Sequence, residues 1–212
     1  MRIGLLTYDR PHKKTYDLAC LLKVYGYDVT LILTDWVDRK ERHPLVQHRP
    51  VGYAPRPEVI ADRFNFVICK RDDTCDEYII GGANIVKGLK AINSHPGYLP
   101  VARGLDSLKW AIYHGLPVGV TTHYTIDEAD SGKMIKRQIV PLYYEDTFHS
   151  FAYRSYDLEI QMLVDSIGCN EIVDPDDTVQ IGNVSRRMPP YLERVMLERF
   201  ENRRKNSTSQ YE

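Results

Sequence analysis

The chain has 212 residues, 43% of them apolar, which fits one substantial domain or a domain with a short appendage and excludes global disorder. A formal net charge of −1 gives no polybasic character, so neither nucleic acid nor a membrane surface is implied as a partner. Cys20, Cys69, Cys75 and Cys169 are scattered with no Cys-x-x-Cys pair, which argues against a zinc site or a disulfide scaffold and suits a reducing cytoplasm.

The opening apolar run, Ile3 to Tyr8, reads as a buried first strand. It is too short for a signal sequence, and no later run approaches the ~18 apolar residues of a membrane span, so a soluble cytoplasmic protein is expected. Thr15 to Tyr25 has Leu18, Leu21, Leu22 and Tyr25 at helical spacing, with Gly26 as its stop. Asp28 to Thr34 is a second buried strand. Strand, helix and strand within 34 residues argue for a parallel α/β sheet. The first turn carries neither a Gly-x-Gly-x-x-Gly nor a P-loop; instead Arg10, Lys13 and Lys14 stand where a helix N-terminus could meet a phosphate. Residues 35 to 64 look irregular, with Pro44, Pro50, Pro55 and Pro57, and a connection of this length suits a functional loop. Within them His43 and His48 read as surface residues rather than metal ligands.

Asn65 to Lys70 reads as a third strand, and Gly81-Gly82 follows a further one, where a glycine lets a ligand approach the backbone. In Ala91-Ile-Asn-Ser-His-Pro96, Asn93 and His95 are two apart and project from one face of an extended segment that Pro96 ends. A helical segment from Asp106 to His114 leads into an apolar β run, Val118 to Ile126, and the unit is expected to be a parallel βαβ crossover. Its fold can return Asp130 to Asn93 and His95. His123 and Trp110 read as packing residues. Lys133 to Leu142 is strand-like, and Asp146-Thr147 opens a helix to about Ile167 with Phe148, Tyr156, Ile160, Leu163 and Ile167 as its apolar stripe. An amphipathic segment, Tyr191 to about Arg203, precedes a polar tail expected to fray, with Arg199, Arg203, Arg204 and Lys205 on a solvated face. The expected fold is α/β, a mostly parallel twisted sheet flanked by helices: residues 1–168 form the catalytic domain and 169–212 a short extension. The amphipathic C-terminal helix leaves a homodimer open.

Taken together, Asn93-Ser94-His95-Pro96, Leu99-Pro100, Arg103-Gly104, Gly119-Val120-Thr121 and Asp127-Glu128-Ala129-Asp130-Ser131-Gly132 resemble the folate-dependent formyltransferase family. The resemblance covers roughly residues 78 to 148. It implies a Rossmann-like formyltransferase fold and 10-formyltetrahydrofolate as formyl donor, with no metal. It implies that Asn93, His95 and Asp130 are catalytic, that Gly82, Asn84, Ile85 and Val86 line the pterin pocket with Ile126 and Asp127 beside it, and that Arg103 lies near the substrate. In formyl transfer an amine adds to the formyl carbon and negative charge collects on its oxygen; Asn93 and a protonated His95 would donate to that oxygen. Asp130 would orient the imidazole and take part in proton movement.

The acceptor is approached by elimination. The chain departs from glycinamide ribonucleotide transformylases at the Gly-rich phosphate loop, and it has no room for the C-terminal RNA-binding domain of methionyl-tRNA formyltransferases. A nucleotide-linked amino sugar remains, with Arg10, Lys13 and Arg103 as candidate contacts. Other small amines, hydrolysis with water as acceptor, and folate or sugar-nucleotide binding without catalysis stay open.

Overall fold

The structure is a computed structural model and describes residues 1–36, 43–83, 88–125, 130, 132–169, 171–173 and 182–209. Two apolar runs form β1 (Arg2–Tyr8) and β2 (Asp28–Thr34), parallel neighbours joined by α1 (Lys13–Val24). Then come α2 (Pro57–Phe64), β3 (Val67–Cys69), β4 (Glu77–Ile80), β5 (Ile92–His95), β6 (Arg103–Gly104) and α3 (Ser107–His114). The chain continues through β7 (Gly119–Tyr124), β8 (Met134–Ile139), α4 (Phe148–Asp165), β9 (Val184–Ser185) and α5 (Pro190–Lys205). Among the described residues the main sheet has the order β3-β2-β1-β4-β5-β7-β8, and β6 pairs with β9 apart from it. The pairs from β3 to β5 are parallel, so the expected mostly parallel α/β sheet flanked by helices is what forms.

Both faces of this sheet are buried, which is why its strands read as continuous apolar runs rather than alternating ones. Ile3, Leu5, Leu31, Ile79 and Ile92 pack with Leu18 and Leu22 of α1 and Ile160 and Leu163 of α4. Leu6, Ile32, Tyr78 and Ile80 form a smaller cluster from alternate strand positions. A third cluster joins Leu108 and Ile112 of α3, Val118 and Val120, Phe148 and Phe151 of α4, and Met196 and Phe200 of α5.

One expectation is overturned. The unit from Ala91 to Ile126 is not a parallel βαβ crossover, because β5 and β7 are antiparallel, with Asn93 opposite His123 and His95 opposite Thr121. Hydrogen bonds set the direction. The Thr121 hydroxyl donates to the Gly97 carbonyl and accepts from the Leu99 N–H, at 2.8 and 3.1 Å. The start of β7 is therefore tied to the turn leaving the end of β5, and α3 never carries the chain back along the sheet.

Two further differences concern segments read as irregular. Residues 57–64 form α2, with Pro57 at its start and Asn65 closing it in the left-handed region at φ 56°. The C-terminal tail is docked through Ser209, since the Tyr144 N–H donates to the Thr208 carbonyl and the Ser209 hydroxyl to Glu145. Nor are the α5 cations simply solvated: Arg199 donates to the Tyr113 carbonyl, Arg203 to that of Leu116 and Arg204 to that of Tyr144. They cap carbonyls at the end of α3 and beside the tail.

Residues 43–50 cross this side as a strap. Lys109 of α3 and Glu193 of α5 form an ion pair at 2.6 Å, each side chain 1% exposed. Glu193 also accepts from the N–H groups of Leu45 and Val46, and Lys109 donates to the Val46 carbonyl. Four hydrogen bonds from three segments thus meet on one buried pair. Lys109→Met leaves an uncompensated buried carboxylate and is expected to cost about 3–5 kcal/mol in a denaturant titration, with faster proteolysis within the strap.

Candidate active site

The site stands at the carboxyl end of β5, beside the carboxyl ends of β1 and β4, where open α/β sheets hold their ligands. His95 is 5% exposed. Its Nε2 lies 2.8 Å from the Ala102 carbonyl and its Nδ1 3.3 Å from Asp130 Oδ1. Both neighbours only accept, so the ring satisfies both when each nitrogen carries a proton. The approach to Ala102 requires Gly97: a Cβ there would stand 2.3 Å from the Ala102 oxygen and 2.5 Å from His95 Nε2.

Asp130 is held from two sides. Its Oδ2 accepts the Gly104 N–H at 2.9 Å, and its backbone adopts φ 52°, a left-handed conformation unusual for a side-chain-bearing residue. Such strain persists where the surroundings over-determine it. Here the His95 ring and the Gly104 amide do so.

Asn93 faces His123, with Nδ2 3.4 Å from the ring Nε2. The other ring nitrogen, Nδ1, lies 3.0 Å from the Tyr124 carbonyl, an acceptor, and so carries the proton. Burial holds His123 below the ordinary histidine range, the nearby His95 adding to that and the Tyr124 carbonyl and Asp130 opposing it. A neutral His123 therefore presents a lone pair to Asn93. That orients the amide, leaving its second N–H to donate into the site. His123 also stands 3.7 Å from Asp130 Oδ1, closing the group. Opposite it, the β7–β8 ladder slips between Thr122 and His123, a β-bulge of the kind that re-aims side chains beside active sites.

Asn93, His95 and Asp130 are brought together, as their spacing suggests. His123 is a member that the sequence reading missed, since a packed strand residue becomes a site residue only once the antiparallel register sets it opposite Asn93. A histidine inside an otherwise apolar and threonine-rich strand was the available signal.

The other candidates are placed as follows. Arg10 lies over the Trp36 ring at 5.4 Å, and Lys13 pairs with Asp17 at 2.5 Å, both just past the carboxyl end of β1. Arg103 is buried in β6, one residue before the amide that holds Asp130. The N–H groups of Gly81 and Gly82 both donate to the Leu6 carbonyl, and a Cβ on Gly82 would stand 2.3 Å from His12 Nδ1. Gly82 thus makes room for His12, which caps α1 through its side chain. Asn84, Ile85, Val86, Ile126 and Asp127 lie outside the described residues.

Lys14 does not face solvent at the α1 N-terminus. It is buried, 2.7 Å from Glu159 Oε1 and 3.3 Å from Ser94 Oγ, while Arg49 reaches Glu159 Oε2 at 2.8 Å. Burial alone would raise the Glu159 carboxyl, but the Arg49 and Lys14 charges outweigh it and hold it at about 2. Burial, with Lys14 and Arg49 nearby, lowers His12 to about 4. His48, likewise desolvated and beside Arg49 and Lys109, is lowered to about 4 although Asp106 lies 3.9 Å away.

Residues 79–167 match the formyl transferase family model. The chain is 36% identical over 179 residues to formyltetrahydrofolate deformylase 2, mitochondrial, of Arabidopsis thaliana, covering 72% of this chain and 55% of that protein. It is 28% identical over 156 residues to dTDP-4-amino-4,6-dideoxyglucose formyltransferase of Mycobacterium bovis, covering 64% of this chain and 63% of that protein. It thus spans about half to two thirds of the length of these curated relatives. A solved sugar 3N-formyl transferase, WlaRD, studied in the presence of dTDP and 5-N-formyl-THF, superposes with a TM-score of 0.60 at 14% identity over 84% of this chain and 67% of that one, a likeness of fold.

The histidine shifts carry a sign. His12 and His48 stand at about 4 in the fold against 6.5 for the free side chain, so the unfolded chain binds protons more readily between those values. Stability is expected to fall as pH drops from 6.5 to about 4. Glu159, at about 2 against 4.5, adds a further loss from 4.5 downward. Urea midpoints measured against pH should show both windows, and His48→Gln should flatten the upper one.

Proposed function

We propose, from the match of residues 79–167 to the formyl transferase family model, that this chain moves a formyl group from 10-formyltetrahydrofolate to a primary amine, the acceptor being a nucleotide-linked amino sugar. The observation that carries the reading is the group of Asn93, His95, His123 and Asp130 at the carboxyl end of β5. Formyl transfer needs a fixed donor at the formyl oxygen and a route for the protons of the incoming amine. His123 fixes the Asn93 amide, whose second N–H is the donor for that oxygen. The His95–Asp130 pair places a proton and a carboxylate beside it, and the 14% exposure of the Asp130 side chain leaves that carboxylate open to exchange protons through water. The folate and the acceptor are both substrates here, and the cations at the carboxyl end of β1, Arg10 and Lys13, are the proposed contacts for the acceptor's phosphates. Similarity to a dTDP-amino-sugar formyltransferase over 156 residues supports this choice.

A second reading is favoured by one observation, the 36% identity to a formyltetrahydrofolate deformylase. There water replaces the amine, and the same four residues serve. The two readings separate in one assay: tetrahydrofolate release from 10-formyltetrahydrofolate, with dTDP- and UDP-linked amino sugars, with glycinamide ribonucleotide, and with no acceptor. Release that requires an amino sugar is expected; release at the same rate without acceptor would replace the transferase by a hydrolase.

Asn93→Ala and Asp130→Asn are each expected to lower kcat about 100-fold or more, the scale of a lost oxyanion donor, with folate affinity little changed. His123→Leu leaves the Asn93 amide free to rotate and is expected to lower kcat about tenfold. Wild-type turnover in both Asn93→Ala and Asp130→Asn would remove this site from the reaction.

A further inference from the structure

Ser94 lies between Asn93 and His95, and its side chain points to the opposite face of β5. Its backbone orientation follows from the ladder. The Ala91 carbonyl accepts from the Thr125 N–H on the β7 side, so by alternation the Ser94 carbonyl points the other way, toward the line of β4. There, among the described residues, β5 has no further strand partner, because its pairing with β4 is confined to Ile79 and Ile92, and β4 ends at Ile80. Among the described residues, the buried carbonyl at the base of the site has no strand to bond.

Lys14 supplies the donor. Its ammonium lies 3.4 Å from the Ser94 carbonyl, 3.3 Å from the Ser94 hydroxyl and 2.7 Å from Glu159. The arrangement is unfavourable in every local respect: Lys14 is 8% exposed, and it sits in the first turn of α1, where the helix dipole disfavours a cation. Glu159, 1% exposed and also bound by Arg49, is the compensating charge. An apolar residue would fill the same space between α1 and α4 without these costs. What it would not do is hold the strand end.

We infer that Lys14, clamped by Glu159, is a positioning residue for the Asn93–His95 strand end and acts on the reaction through Ser94. The inference rests on the functional reading above for its effect on turnover, and on the geometry alone for its effect on the strand.

The test is the double variant Lys14→Met, Glu159→Gln, which removes both buried charges together and leaves Arg49 an amide to bond. It should fold with a melting temperature close to wild type and bind 5-formyltetrahydrofolate, an unreactive donor analogue, within about threefold. Its kcat for tetrahydrofolate release should fall about tenfold with the donor KM little changed, the cost of a displaced donor. Hydrogen exchange at the amides of residues 93–95 should quicken. A well-folded double variant with wild-type kcat and exchange would overturn the inference and leave Lys14 as a stitch between α1 and α4. If the wild type releases no tetrahydrofolate with any acceptor, the functional reading fails, while the exchange measurement still decides the role of Lys14. Should the double variant be unstable, Lys14→Arg keeps the donor and charge, and its kcat above that of Lys14→Met distinguishes positioning from packing.

Discussion

The antiparallel pairing of β5 with β7 is the constraint on which the site depends. A two-residue period along β5 puts Asn93 and His95 on one face, and the antiparallel register puts His123 opposite Asn93. A shift by one residue would turn His123 to the other face and leave the Asn93 amide unoriented. The register is pinned at one end by the Thr121 hydroxyl, which bonds both Gly97 and Leu99, and at the other by the Thr125 amide on Ala91. Both pins lie outside the reacting group. The geometry of the site is thus set by hydrogen bonds made outside the group of Asn93, His95, His123 and Asp130.

Charge buried around this sheet follows one pattern. Glu159, Glu193 and Asp106 each gather donors from segments far apart in sequence: Glu159 from α1 and residue 49, Glu193 from α3 and residues 45–46, and Asp106 from residues 187 and 188. An ionised carboxylate in a dry interior is tolerated only with such a shell. Each therefore fixes the path of a loop that has little apolar surface of its own. The strap at 43–50 shows this best, since its Leu45 is exposed and its backbone is held mainly by Glu193. Irregular chain is positioned here by charge, whereas the strands are positioned by apolar packing.

That division explains what could be read from the sequence. Apolar periodicity belongs to a local stretch, so β1, α1, β2, β7 and α4 were legible, as were the Thr147 cap and the same-face relation of Asn93 and His95. The direction of β7 was not legible, because it is decided by Thr121 meeting a turn more than twenty residues earlier. Missing that direction also hid His123. Lys14 looked like a surface cation because its partner Glu159 lies 145 residues away on α4, and no local pattern links them. The helix α2 was obscured by the prolines around it, although Pro57 at its first position and Asn65 at its end are ordinary helix boundaries.

The burial of His95 bears on how such a site lowers a barrier. With one ring nitrogen on the Ala102 carbonyl and the other on Asp130, the imidazole has no N–H turned outward in this arrangement. In the proposed reaction its contribution to a developing oxyanion would come through the field of the ring and Asp130 in a water-poor setting, not through a directed hydrogen bond. In that proposal the directed hydrogen bond falls to Asn93, which is less buried than His95 and already has its orientation fixed by His123. One residue supplies the field and another the geometry. An amide suits that proposed role because it stays a neutral donor, and its alignment costs nothing at the moment of reaction if the strand beneath it does not move.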